Sequence, residues 1–181
     1  MEVVRLGNPI LREVASSISD VDDPQIQTLI DEMLATTLAT DGVGLAAPQV
    51  GRSLRLVVVA SRPNPRYPDA PMMEPTAMAN PRVVRYSDER LFGWEGCLSV
   101  PGKRGWIPRY REIEVEYWDR GGYLQRRVLQ DFVARIFQHE FDHLEGLVFL
   151  DRVECPSHVV SEAEYWERLE QLDRDRELSD G

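Results

Sequence analysis

The chain is poor in cysteine, poor in histidine and without any long apolar run. Its 181 residues hold two cysteines, Cys97 and Cys155, too few for a disulfide scaffold, so a reducing compartment is expected. No stretch of about 18 apolar residues occurs, which excludes a membrane-spanning helix. Met1-Glu2-Val3-Val4-Arg5-Leu6 lacks a basic segment followed by an apolar one, so no secretory leader is expected and a cytoplasmic location is. Positive charge is in deficit, with a formal net charge of −10. The deficit is marked over 161–181, where Glu162, Glu164, Glu167, Glu170, Asp173, Asp175, Glu177 and Asp180 face only Arg168, Arg174 and Arg176. Phosphates would be repelled there, so no direct nucleic-acid binding is expected.

What remains is an ordinary globular composition, 43% hydrophobic and 29% charged. The length suits a single domain, 1–181, ending in an acidic helix or tail at about 161–181. Asp23-Pro24 predicts a helix start, a capping carboxylate followed by proline at the first helical position. Ile26, Leu29, Ile30, Met33, Leu34 and Leu38 follow at helical spacing, up to Gly42. Leu54 to Ala60 predicts a buried strand. Pro81 to Tyr86 predicts another, and Ile113 to Trp118 a strand with one wet face, continued by a hairpin through Gly121-Gly122 to Val128. The proline-rich stretch 62–75 predicts a surface loop, since neither flank could make a separate domain. Asp131 is a candidate cap for a helix that Gly146 stops. A final helix is expected over Glu162 to Leu178, with Trp166, Leu169 and Leu172 on its apolar side. The fold class predicted is α+β, antiparallel strands around a central metal-binding helix with further helices near both ends.

The chemistry is concentrated in Gln138-His139-Glu140-Phe141-Asp142-His143. A helix turns about 100° per residue, so His139 and His143 project from one face, with Glu140 beside them. Two imidazoles at that spacing can share one metal ion, and the carboxylate can move protons for a hydrolysis. A catalytic site of this kind keeps three protein ligands. Downstream candidates for the third are Glu145, Asp151, Glu154, Cys155 and His158; upstream there is Cys97, preceded by Gly96. Spacing does not choose between the cysteines.

Three segments together carry a resemblance: Gly42-Val43-Gly44-Leu45-Ala46-Ala47-Pro48-Gln49, Glu95-Gly96-Cys97-Leu98-Ser99 and the helix with the two histidines. In this order they resemble the peptide deformylases, with further similarity from Gly7 to Asp151. The resemblance implies a metal-dependent hydrolase that removes the formyl group from the N-terminal formyl-methionine of new polypeptides and releases formate. It implies Cys97, His139 and His143 as ligands of one divalent ion, typically Fe2+, with Zn2+, Ni2+ or Co2+ able to substitute. It also implies Glu140 as the proton carrier, and the Gln49 amide and the Leu98 backbone N–H as stabilisers of the oxyanion. Val43, Phe132 and Ile136 would line a methionine pocket, Gly44 would run beside the substrate backbone, and Arg104 would reach toward the peptide beyond methionine. Glu95 and Arg109 are expected to pair near Cys97, and Arg135 to turn outward or to find a carboxylate. The family leaves room for a transient ribosome contact, here not through a basic tail. Two other readings remain open: a His-Glu-x-x-His zinc endopeptidase with a downstream third ligand, and a non-catalytic protein at the ribosome exit.

Overall fold

In a computed structural model, which describes residues 1–179, the apolar run after Ser53 explains the centre of the molecule. The strand β2 (Leu56–Val59) is buried on both faces. Leu56 and Val58 pack with Ile26, Leu29, Ile30 and Met33 of helix α1 (Pro24–Ala39). Val57 and Val59, pointing the other way, pack with Ala134, Ile136 and Phe137 of helix α2 (Asp131–Leu144). A strand covered on both sides by helices has no reason to alternate, and this one does not. α1 begins as its sequence predicts: the Asp23 carboxylate accepts from the Gln25 N–H at 2.7 Å. Its apolar face ends sooner than expected, because Leu38 is 46% exposed.

β2 lies second in a five-stranded antiparallel sheet. Its members are β1 (Gly44–Ala46), β2, β3 (Thr76–Tyr86), β6 (Glu112–Trp118) and β7 (Leu124–Gln130), in the order β1-β2-β3-β6-β7. β3 starts five residues before the predicted Pro81. In β6, Ile113, Val115 and Tyr117 are buried, while Glu112 and Glu114 meet Arg85 and Arg126 on the wet face at 2.9 and 2.8 Å. Exposed pairs of this kind contribute little to stability.

A second, three-stranded sheet was not legible in the sequence. β4 (Arg90–Cys97) and β5 (Val100–Tyr110) form a long hairpin, and β8 (Val159–Ser161) joins β5, all antiparallel. Gly93, Gly96, Gly105 and Pro108 lie inside these strands and mask their periodicity. The glycines are there for space. A Cβ on Gly93 would sit 2.7 Å from the Arg135 guanidinium carbon, and one on Gly105 would sit 2.9 Å from the Phe149 ring.

Helix α2 packs between the two sheets, against β1, β2 and β7 on one side and β5 on the other. Its start differs from expectation. Gln130 occupies the cap position, and Asp131, at φ 49°, turns its carboxylate to Arg111 Nε at 3.0 Å rather than to the helix N–H groups. Gly146 follows its end at φ 71°, where a Cβ would meet the Arg12 carbonyl at 2.7 Å. The final helix α3 (Glu162–Ser179) buries Tyr165 and half-buries Trp166 and Leu169, but Leu172 is 52% exposed, so the apolar side expected there stops at Leu169. Residues 180–181 of the expected acidic tail lie outside the described residues. The α+β class and the central helix stand as predicted. Among the described residues no helix is long and apolar enough to cross a membrane.

Candidate metal centre

α2 carries His139 and His143 one turn apart, their ring centroids 5.2 Å from each other. β4 runs up to them and ends on Cys97, where the ladder with β5 slips between Glu95 and Cys97 and turns the sulfur inward. Cys97 Sγ lies 3.3 Å from His143 Nε2. Among the described residues, Cys97, His139 and His143 form the cluster able to hold a metal ion, their donor atoms all within 4.8 Å of one another and all three residues buried. Of the two cysteines, Cys97 is the one that lies with the histidines: Cys155 is exposed, its sulfur 3.0 Å from Ser157 Oγ. Glu145 and Asp151 are held by Arg55 and Arg12 at 2.8 and 2.5 Å, and Glu154 faces Arg90 at 3.6 Å.

The donors fit a divalent ion chemically. Burial opposes charge on Cys97, but the neighbouring His143 and His139 prevail and hold its thiol well below the ordinary range. Burial likewise opposes charge on His139, and hydrogen bonds to Cys97 and Glu95 raise it well above the usual imidazole value. Such a thiolate–imidazolium pair is ready to exchange its proton for a metal cation. His139 Nδ1 bonds Glu95 Oε2 at 2.9 Å, which leaves Nε2 for the metal.

Glu95 is the hub behind these ligands. It accepts from Arg109 Nε and Nη2 at 2.8 and 3.0 Å and from Arg135 Nη1 at 3.0 Å. Arg109 also donates to Asp142 at 2.7 Å, and Asp142 takes Arg152 at 2.6 Å, so paired charge runs from the surface to His139. Burial alone would raise the Glu95 carboxyl; the Arg109 charge and the bonds from His139 and Arg109 hold it far below the carboxylate range. Arg135, expected to turn outward or find a carboxylate, does the latter and also donates to the carbonyls of Leu91, Gly93 and Ile107. Glu95→Gln leaves two buried guanidinium groups short of their counter-charge. We expect a loss of about 3–5 kcal/mol in urea unfolding and metal affinity about 10–100-fold weaker by competition with a chelator.

Glu140 stands beside the ligands, 4% exposed, with Oε2 buried and free of a protein partner. Burial raises its carboxyl to about 7, against the lowering charges of His139 and His143. Gly44 lies against it: a Cβ there would fall 2.5 Å from Glu140 Oε1 and 2.8 Å from Ile136. The Gln49 side chain is oriented by its own oxygen, which accepts from the Ala46 N–H at 2.8 Å. Its nitrogen therefore faces Cys97 Sγ at 3.4 Å and Ser99 Oγ at 3.3 Å.

The pocket over these groups is lined by Val43 and Gly44, by Gln49, by Leu98 beside Cys97, and by Phe132 and Ile136 from α2. Sequence reasoning missed three further linings: Trp94, which precedes the hub carboxylate on β4, and Arg66 and Tyr67 on the proline-rich loop. The aromatic Tyr67 amid prolines was the available signal. Ser61 Oγ bonds the Pro71 carbonyl at 2.6 Å, and Arg62 bonds the Gly42 carbonyl at 2.8 Å, which folds that loop back onto the pocket. Arg104 differs from its expectation. It has no exposed surface and is paired with Glu162, so it is not free to reach along a peptide.

A thiolate and two imidazoles beside a buried carboxylate, at the floor of a half-open pocket, define a metal-dependent hydrolase. The chain belongs to the polypeptide deformylase family, whose model matches residues 1–158. It is 58% identical to peptide deformylase 2 of Nostoc sp. (strain PCC 7120) over 92% of this chain and 93% of that one. A ligand-bound structure of the class I type b peptide deformylase from Acinetobacter baumannii matches with a TM-score of 0.83 at 45% identity, covering 85% of this chain and 98% of that one. The same enzyme with Met-Ala-Ser bound gives 0.81 at 46% identity, over 83% of this chain and 96% of that one.

Proposed function

We propose that the chain is a single catalytic domain that removes the formyl group from the N-terminal formyl-methionine of newly synthesised polypeptides. Water adds to the formyl carbon, the C–N bond breaks, and formate and a free α-amino group leave. Cys97, His139 and His143 would hold one divalent ion, and a thiolate ligand suits Fe2+, with Zn2+, Ni2+ or Co2+ as substitutes. When bound, such an ion supplies Lewis acidity, acidifying water and polarising a carbonyl oxygen.

The chain's own residues do the rest. Glu140 takes a proton from the attacking water and returns it to the departing nitrogen; a carboxyl near 7 can do both at neutral pH. Gln49 Nε2 and the Leu98 N–H donate to the oxygen on which charge develops. Val43, Phe132 and Ile136 enclose the methionine side chain, and Gly44 keeps the substrate backbone close to Glu140. The reaction would run in the cytoplasm on nascent chains, with a ribosome contact that does not depend on a basic tail. The observation that carries this reading is the unpartnered Glu140 Oε2 beside the Cys97–His139–His143 cluster.

The test is formate release from formyl-Met-Ala-Ser by anaerobically purified protein. The acetyl analogue is expected to turn over at least about tenfold more slowly, since the crowding at Gly44 leaves room for hydrogen and little for a methyl. Equal turnover of the two peptides would sink the steric part of the proposal.

A further inference from the structure

Arg104 is a wholly buried cation outside the ligand cluster. A guanidinium persists in such a place where its charge and most of its donors find partners, and here Nε is left without one. Nη1 donates to the Tyr67 hydroxyl at 3.2 Å, and Nη2 to Glu162 Oε1 at 2.9 Å. The guanidinium carbon lies 4.7 Å from the Tyr165 ring centroid, 5.5 Å from that of Tyr67 and 5.9 Å from that of Trp166. Gly96 closes the remaining side, where a Cβ would fall 2.9 Å from Nη1. One side chain thus joins the proline-rich loop, the strand leading into Cys97 and the first turns of α3.

Tyr67 is the pocket end of this clasp. Its ring lines the pocket and packs on Phe132 of α2, centroids 5.3 Å apart. Tyr67 sits on a loop, so neither a strand nor a helix sets the direction of its ring. The ring is held by the hydroxyl on Arg104, by a tilted contact with Phe132 and by the Arg66 guanidinium, 5.7 Å from its centroid, while Asn64 pins the backbone. Glu162, Tyr165 and Trp166 of α3 are the other end. An Arg suits the role because its fork can bond two partners while its plane stacks on rings.

Resting on the deformylase reading, we propose that Tyr67 is a specificity-determining wall of the pocket for the substrate's first side chain. Arg104, clasped by α3, is the positioning residue that holds this wall. The clasp acts on the wall and not on the reacting atoms. Its loss raises KM, leaves kcat in place, and weakens discrimination between side chains that fill the pocket and side chains that do not.

The experiment compares wild type with Tyr67→Phe, Tyr67→Ala and Glu162→Gln. The Glu162 side chain is 41% exposed, so water can take over part of its role, and its replacement disturbs the fold less than a change at buried Arg104. Metal content, kcat and KM on formyl-Met-Ala-Ser and formyl-Ala-Ala-Ser, and Kd for Met-Ala-Ser by tryptophan fluorescence are measured. Tyr67→Phe, which removes the hydroxyl that accepts from Arg104, and Glu162→Gln, which removes the counter-charge of Arg104, are expected to raise KM and Kd about three- to tenfold. Tyr67→Ala is expected to cut the preference for methionine over alanine by about tenfold or more. Metal content and kcat stay at wild-type values. Wild-type KM, Kd and preference in Tyr67→Ala would overturn the proposal, as would losses confined to kcat or metal content. Formate release by wild type reports on the deformylase reading, and the binding measurement reports on the clasp whether or not formate appears.

Discussion

Glu140→Gln is expected to lower kcat on formyl-Met-Ala-Ser by about 10²–10⁴-fold, the usual contribution of a positioned acid–base group. Glutamine matches the shape of the carboxylate but neither takes a proton from water nor returns one to the amine. The fold should tolerate the change. Glu140 Oε2 has no protein partner to lose, and the residue is 4% exposed, so replacing a buried carboxylate by a neutral amide relieves desolvation. The melting temperature is expected to hold or rise. Metal content should stay at the wild-type value, because the proposed ligands are Cys97, His139 and His143 and not Glu140. Formate release, metal analysis and a thermal melt on one preparation check the three parts. Substantial turnover by the variant at full metal loading would remove Glu140 from the chemistry. Loss of metal would instead make it a support for the ligands.

Cys97→Ser is expected to abolish metal retention, and activity with it, while Cys155→Ser changes neither. A serine hydroxyl at neutral pH lacks the thiolate's charge and softness, which are what bind Fe2+ or Zn2+ at such a site. With two imidazoles left, the ion has two protein ligands where a catalytic centre keeps about three. Cys155 supplies the control because it is exposed on the short turn before β8, outside the cluster. His158→Ala should also keep metal; its ring lies against Phe92 at 5.9 Å. These outcomes separate a deformylase from a zinc endopeptidase, whose third ligand would lie downstream of the helix. Metal analysis after anaerobic purification decides the matter: retention by Cys97→Ser with loss in Cys155→Ser or His158→Ala would reverse the assignment.

Some of this molecule could be read residue by residue. The face shared by His139 and His143, the capped start of α1 at Asp23 and the burial of the valine-rich β2 all follow from residue types within a few positions of one another. The neighbours of Glu95 could not be read so. Its pairing with Arg109 was foreseeable, but its bond to His139, its share of Arg135 and the onward chain through Asp142 to Arg152 join β4, β5, α2 and the segment beyond α2. The β4–β5 hairpin was hidden because Gly93, Gly96 and Gly105 stand where other strands have side chains. Those gaps are filled by Arg135, Arg104 and Phe149, residues 8 to 44 positions away along the chain by their numbering. Arg104 was misread for the same reason: a lone arginine near the site looks free until Glu162 and three aromatic rings are found around it.

The sequence by itself determined the family, the α+β class, the helix that presents two imidazoles and the carboxylate between them, because these are set by residue types within a few positions of one another. Only the tertiary structure decided which cysteine completes the cluster, which loop roofs the pocket and where each buried charge is neutralised. Those outcomes depend on distances across the core between segments far apart in the chain, and no local pattern of residues encodes a distance of that kind.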